Sequence, residues 1–267
     1  MPVDTQTFEI LLDTVERFVA ERLVPLEAQV DDEDKVPDDV VEEMKGLGLF
    51  GLSIPEEYGG LGLSMSEEVQ VAFKLGGTTP AFRSAFGTNI GIGSQGIIMD
   101  GTDEQKERFL PRLATGEMIA SFALTEPDAG SDAGSIKTLA TFEGGQYVLN
   151  GTKRYITNAP IADVFTLMAR TNPKETGANG ITAFIVERNT GGLTIGVPDK
   201  KMGQQGAHTA DVVLENVRVP KENIIGGKPG VGFKTAMKVL DRGRLDIAAV
   251  SVGIAERLIR ECVAYSK

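Results

Sequence analysis

The chain has one histidine and one cysteine, and each shortage removes a class of chemistry. His208 stands alone in a Gly/Ala/Thr turn, so histidines cannot cluster around a metal, and no serine partner for it is evident. A structural or solvated role fits it best. Cys262 has no second thiol, so an internal disulfide is excluded and a reducing compartment fits. Its place in a late apolar pattern predicts a buried, inert thiol. No uninterrupted apolar run approaches the roughly 18 residues of a membrane span. The start carries Asp4 and Glu9 where a transit peptide would be rich in arginine, and no apolar signal core follows. A cytoplasmic location is the expectation. Positive charge is also scarce: 27 Lys and Arg against 38 Asp and Glu leave a net charge of −11. That argues against a nucleic-acid binder, which must neutralise phosphates with a basic face. It leaves room for an anionic ligand, because backbone N–H groups and a few local arginines bind phosphate in an acidic protein.

What is present is an ordinary globular composition, 41% hydrophobic and 24% charged over 267 residues, enough for one large domain or several small ones. The first part reads helical. Phe8, Leu11, Leu12, Val15, Phe18 and Val19 recur at helical spacing. The acidic run Asp31, Asp32, Glu33, Asp34 reads as a solvated loop between helices. Pro37 opens a short segment that closes near Gly46 and Gly48. Ser64 with Glu67, and Thr102 with Gln105, are capping boxes that open two more helices. These stop at Gly76-Gly77 and near Gly116.

From about Met118 strand-like runs sit between glycine turns: 119–124, 136–142, 147–149, 154–156, 164–168, 181–186 and 212–219. Gly144-Gly145 and Asn150-Gly151 read as tight turns between consecutive strands. No helix-length pattern intervenes, so the sheet is expected to be antiparallel. The stretch 172–180 reads as a surface connection. From Gly232 a helical period returns through Phe233, Met237, Leu240, Ile247, Ser251, Ile254, Leu258 and Cys262, without a stop signal before Lys267. The expected fold class is therefore α+β and multidomain. An N-terminal all-α domain spans 1–117, a central antiparallel β domain 118–227, and the start of a C-terminal helical bundle 228–267.

Gly91-Ile92-Gly93-Ser94-Gln95-Gly96 spells GxGxxG. A dinucleotide fingerprint needs a parallel strand before it and an acidic residue ending a second strand about twenty residues later. Neither is present, so close packing through small residues is the better reading. The segment from Phe122 to Asp132 is harder to dismiss. Apolar Phe122-Ala123-Leu124 runs into Thr125, Pro127 fixes a turn, and Gly130 permits close backbone approach to a ligand. Free N–H groups near Gly130 and Ser131 suit an oxyanion or phosphate. Thr157 ends a second strand in a similar way. On spacing alone, a ligand site and a plain surface loop remain equally open.

Longer matches decide between them. Leu124-Thr125-Glu126-Pro127-Asp128-Ala129-Gly130-Ser131-Asp132 closely resembles the first signature of the acyl-CoA dehydrogenase family. Tyr155-Ile156-Thr157-Asn158 is similar to its second motif, with Tyr155 where tryptophan is usual. Lys201-Met202-Gly203 with Thr209, and Val217-Arg218-Val219-Pro220, match a further block. Leu240-Asp241-Arg242-Gly243-Arg244 with Ala248, Ala249 and Gly253 resembles the start of the third domain. Residues 101–106 and Leu110-Pro111 also fit, and the matches are collinear from about Leu23 to Lys267.

The resemblance implies FAD bound between the β domain and the C-terminal helices. Phe122, Ala123, Leu124, Thr125, Gly130 and Ser131 would supply one set of flavin contacts. Tyr155, Ile156 and Thr157 would supply the other, with Thr157 near the hydride-accepting N5. Ser131, Asp241, Arg242 and Arg244 would contact the acyl-CoA. The implied reaction is α,β-dehydrogenation of an acyl-CoA thioester to a trans-2-enoyl-CoA, as in fatty-acid β-oxidation. Electrons would pass to an electron-transferring flavoprotein, and the intact protein would be a homotetramer. Most family members carry the catalytic glutamate late in the third domain; a minority place it where this chain has Gly243. The base is therefore expected beyond Lys267, the third domain is expected to be truncated, and the isolated chain is expected to be inactive. A non-catalytic flavin- or partner-binding homologue and acyl-CoA oxidase chemistry are the alternatives.

Overall fold

The computed structural model describes residues 4–267. Helices α1 (Thr5–Phe18), α2 (Glu27–Glu33), α3 (Asp38–Gly46), α4 (Met65–Leu75), α5 (Pro80–Thr88), α6 (Gln95–Asp100) and α7 (Asp103–Ala114) come first. Both capping boxes form: the Ser64 amide donates to Glu67 Oε2 at 2.7 Å, and the Thr102 amide to Gln105 Oε1 at 3.0 Å. Each ties up amides that a helix start would otherwise leave free. Phe8, Val15 and Val19 are buried as their spacing predicts. They join Leu23, Met44, Phe50, Phe82 and Phe86 in one apolar cluster. The acidic run is not a loop. Asp31, Asp32 and Glu33 form the exposed last turn of α2, and Asp34 caps it in the left-handed region at φ 49°. The end of this short helix is exposed at every one of these positions, so solvent accommodates the like charges as well as it would in a loop.

Seven strands follow: β1 (Ala120–Ala123), β2 (Leu139–Glu143), β3 (Gln146–Thr157), β4 (Val164–Arg170), β5 (Ile181–Glu187), β6 (Leu193–Ile195) and β7 (Thr209–Pro220). They make one sheet in the order β1-β4-β2-β3-β7-β6, with β5 also on β4. The β2–β3, β3–β7, β4–β5 and β6–β7 ladders are antiparallel, as expected. β1 departs from this by lying parallel to β4, which also meets β2 at one parallel pair. The sheet is thus mixed. Gly144 and Gly145, both at positive φ, turn the β2–β3 hairpin.

Asn150-Gly151 does not turn. It lies within one continuous β3 as an irregularity in the β3–β7 ladder. A Cβ on Gly151 would fall 2.5 Å from the Thr138 hydroxyl, so the glycine serves close packing. Asn150 instead accepts from the Asn216 amide across the ladder at 2.8 Å.

α8 (Gly232–Ser266) closes the molecule. Its buried face is Thr235, Ala236, Val239, Asp246, Ala249, Val250 and Gly253. That face is rotated from the stripe drawn by large apolar residues, for Ile247 and Leu258 are exposed. The cause lies in α4. A Cβ on Gly253 would meet the Phe73 carbonyl oxygen at 2.2 Å, and one on Gly76 the Val250 carbonyl oxygen at 2.5 Å. Backbone meets backbone there, which selects small residues over large ones. Cys262 is exposed rather than buried, because it lies on the part of α8 beyond this contact. A shared core joins the layers: Phe109, Leu110 and Leu113 of α7 pack with Phe122, Val164 and Ile185 of the sheet and Val239 of α8.

Candidate functional site

β1 delivers Phe122, and Leu124 follows just beyond it, both buried at the edge of a cleft of about 620 Å³. Thr125 follows, and then the turn that carries Gly130 and Ser131 into the same cleft. This segment has little secondary structure of its own, so other bonds must hold it. The backbone of Glu126 and Ala129 closes on itself, at 3.0 Å and 3.1 Å. The Glu126 carboxylate accepts the amides of Lys137 (2.6 Å) and Thr138 (3.0 Å) and the ammonium of fully buried Lys153 (2.7 Å). Burial raises the Glu126 pKa, but Lys153, Thr138 and the Lys137 amide outweigh it and hold the carboxyl below its usual range. Burial pushes Lys153 down to about 8.

The second wall is the end of β3. The Thr157 carbonyl accepts from the Ser121 hydroxyl at 2.6 Å, and the Arg154 amide donates to the Thr125 carbonyl at 2.8 Å. These bonds fix the two walls to each other, although β1 and β3 are not neighbours in the sheet. Tyr155 sits at φ 59°, outside the strand region, and its ring is 61% exposed under the Arg154 guanidinium at 4.2 Å. Arg154 is in turn paired with Asp211 (2.7 Å) and Asp199 (2.8 Å). The hydrogen bond to Asp211 leads the contacts that raise its pKa. The guanidinium is therefore locked as a cationic plate against the tyrosine.

A second cleft, of about 660 Å³, adjoins the first. α5 contributes Arg83, Gly87 and Thr88; the turn before β7 contributes Gln204 and Ala207; α8 contributes Gly243 and Ile247. The two clefts share Thr88, Ile92, Thr157, Leu240 and Arg244. At the α5–α8 side lie four charges: Arg83 pairs with Asp246, and Arg242 with Glu68. All four are largely buried. Burial lowers Arg83 to about 10 and pushes Glu68 up to about 7, ahead of the opposing pull of Arg242.

Of the residues proposed from sequence, Phe122, Leu124, Thr125, Gly130, Ser131, Tyr155, Ile156 and Thr157 come together in the first cleft. Ala123 does not. It points into the sheet core with Leu149 and Phe165, since side chains alternate along a strand. Arg244 reaches both clefts. Arg242 faces Glu68 on α4, and Asp241 lies on the exposed face in an ion pair with Arg244. Neither lines a cleft, because neighbours on a helix point about 100° apart.

Sequence reasoning missed Thr88, Ile92 and Arg83. Ile92 lies inside the GxGxxG run. That run forms a wide turn between α5 and α6 over Asn89–Gly93. A Cβ on Gly93 would fall 2.8 Å from the Ala120 carbonyl oxygen. Gly93 thus lets this turn meet β1 closely, and Ile92 beside it lines the cleft. His208 lies 3.3 Å from Asp34. Asp34 also accepts the Gly206 amide at 2.7 Å, tethering the turn that carries Ala207.

Among the described residues no group of His, Cys, Asp or Glu could hold a metal ion, and no helix is long and apolar enough to cross a membrane. Asp132 is the one carboxylate lining either cleft among them, and it lies away from the shared residues.

Comparison with known proteins agrees with this geometry. Residues 5–117 match the model of the acyl-CoA dehydrogenase N-terminal domain, and residues 121–217 match that of the middle domain. The chain is 41% identical over 268 residues to the very long-chain specific mitochondrial acyl-CoA dehydrogenase of Rattus norvegicus, covering 98% of this chain and 40% of that protein. It thus spans about two-fifths of that relative's length. The butyryl-CoA dehydrogenase structure from Megasphaera elsdenii superposes with a TM-score of 0.93 at 34% identity, covering 100% of this chain and 70% of that one. An acyl-CoA dehydrogenase from Bacillus anthracis, complexed with FAD, superposes with a TM-score of 0.83 at 36% identity, covering 94% and 42%. Helices, mixed sheet and sequence converge: the chain belongs to the acyl-CoA dehydrogenase family.

Proposed function

We propose that the protein binds FAD in the first cleft and an acyl-CoA thioester in the second, for α,β-dehydrogenation of the acyl group. The observation that carries this is the junction of the two clefts at Thr157, between Thr88, Ile92 and Leu240. The first cleft suits a flat ring joined to a phosphate chain. Phe122, Leu124 and Ile156 give an apolar surface, and Thr125 and Thr157 bring hydroxyls to it. No atom would lie within 4 Å of a Cβ on Gly130, so a ligand can approach its backbone. Among the described residues the Gly130 and Ser131 amides donate to no protein acceptor, which leaves them free for an anion. Bound FAD would supply the two-electron acceptor for the reaction.

The protein's own part is orientation and exclusion of water. Thr157 faces both ligands at the junction, while Leu240 and Ile92 keep that junction apolar. Gly243 leaves room on α8 for the thioester arm, and Arg244 presents a cation to both clefts. No carboxylate of the described residues lines the junction, so none of them is assigned as the proton-abstracting base. Electron-transferring flavoprotein as acceptor, and a homo-oligomeric assembly, complete the proposal.

Flavin titration followed by acyl-CoA titration of the bound flavin's absorbance tests the reading. Binding of both, with a change in the flavin band on acyl-CoA addition and little dye reduction, is expected. Absence of FAD binding would refute it.

A further inference from the structure

Lys153 and Glu126 form an ion pair with side chains 0% and 6% exposed. Burying two charges is costly, and a well-packed apolar pair of similar volume is often as stable or more so. Fold stability is therefore a weak reason for these two residues, and their placement suggests a better one. Glu126 immediately follows Thr125 in the first wall. Lys153 precedes Tyr155 and Thr157 on β3, the strand of the second. The Lys153 ammonium donates to the Leu124 carbonyl at 3.1 Å and to Glu126 Oε1 at 2.7 Å. Between them the Arg154 amide donates to the Thr125 carbonyl at 2.8 Å. Three consecutive residues of one wall are thus anchored to two consecutive residues of the other.

The anchoring is directional. Glu126 spends both carboxylate oxygens, Oε2 on the Lys137 amide and Oε1 on Thr138 and Lys153. Its backbone closes the 126–129 turn, which sets where the free amides of Gly130 and Ser131 point. No ladder joins β1 to β3, since β1 pairs with β4. The hydrogen bonds that join the walls are therefore those of Lys153 and the two made by Arg154 and Ser121, added to the apolar packing of Ala123 with Leu149 and Ile156.

We propose that the Lys153–Glu126 pair is a positioning device for the flavin: it brackets the two walls at one separation and aims the Gly130–Ser131 amides. The pair rests on the FAD reading above and deepens it. Its contribution is to cofactor affinity and to the order of the 124–131 segment, more than to global stability. Neither residue lines the cleft, so both act through the residues that do.

The double variant Glu126→Gln/Lys153→Met tests this in the 267-residue chain, because it keeps side-chain volume and removes both charges. FAD binding is titrated by quenching of flavin fluorescence, and amide hydrogen exchange is followed in the FAD-free chain. The expected result is a Kd for FAD raised about tenfold or more, with faster exchange at 124–131 and unchanged exchange at 181–187. A Kd within about twofold of the unsubstituted chain overturns the inference, as does unchanged exchange at 124–131 whatever the Kd. If the double variant does not fold, Glu126→Gln alone is read by the same two measurements. Failure of both to fold makes the pair a support of the fold itself and overturns the inference too. If the unsubstituted chain binds no FAD, the proposed function fails first, and the two failures are told apart by that control.

Discussion

On the sheet side of the clefts, 122–131 and 153–157 are held by backbone amides, a buried ion pair and the core behind β4 and β5. On the helix side, α8 rests on α4 through glycine, alanine and valine, flanked by the Arg242–Glu68 and Arg83–Asp246 pairs. One side is fixed by directional bonds to a sheet. The other is fixed by close backbone approach and by charges with little exposure. The contrast shows that a ligand site can have one face set by hydrogen bonding and the other set by how near two helices come.

Four experiments probe that contrast. The largest effect is expected in the sheet core: Phe184→Ala should cost ~3–5 kcal/mol by urea unfolding, since Phe184 is fully buried. A loss under about 1 kcal/mol would show that the sheet side is no firmer than the helix side. Next, Gly253→Val forces a side chain into the Phe73 carbonyl. It should cost ~1–3 kcal/mol and speed amide exchange in α8 and α4 while β4 and β5 stay protected. Equal acceleration in the sheet would mean that the two sides unfold as one unit.

The third test is acid. Glu68 has its folded pKa pushed up to about 7 from an ordinary 4.5. Between those values the folded chain holds a proton that the unfolded chain has released. The stability that this group contributes is therefore complete below 4.5 and is lost as pH rises towards 7. Glu126 is lowered instead, so its contribution is present above 4.5 and lost as pH falls through its folded value. The two sides should respond to acid in opposite directions. Urea midpoints across this range should flatten above pH 4.5 in Glu68→Gln and below it in Glu126→Gln; a parallel curve for either would contradict the assignment. The smallest effect concerns Thr125→Val. It should change stability by under about 0.5 kcal/mol but weaken FAD binding by ~0.5–1.5 kcal/mol, measured by titration.

The difference between the sides also explains what the sequence disclosed. The helix starts at Ser64 and Thr102, the Gly144-Gly145 hairpin and the strand cores follow from local chemistry, and local chemistry is written in neighbouring residues. The grouping of Thr125 with Thr157 came from the motif match; strand spacing alone left it open. The Ala123 side chain points away from the cleft: a motif names a contiguous run, whereas a strand turns every second side chain away. Arg242 and the buried face of α8 were hidden for another reason. Their orientation is decided by Gly76, Phe73 and Glu68 on a helix far away in sequence, and small residues leave no mark in a hydrophobic period. Asn150-Gly151 reads as a turn until Thr138 is known to pack beside it.

The parallel pairing of β1 with β4 has a kinetic side. Residues 124–163 lie between the two strands, and they contain the whole β2–β3 hairpin. Closing a long loop is entropically slower than closing the short turn at Gly144-Gly145. During refolding, the hairpin should therefore form before β1 docks. Competence to take up a ligand at Thr125 should be among the last properties the chain acquires, and pulse-labelled exchange should show Ala120–Ala123 protected after Leu139–Glu143.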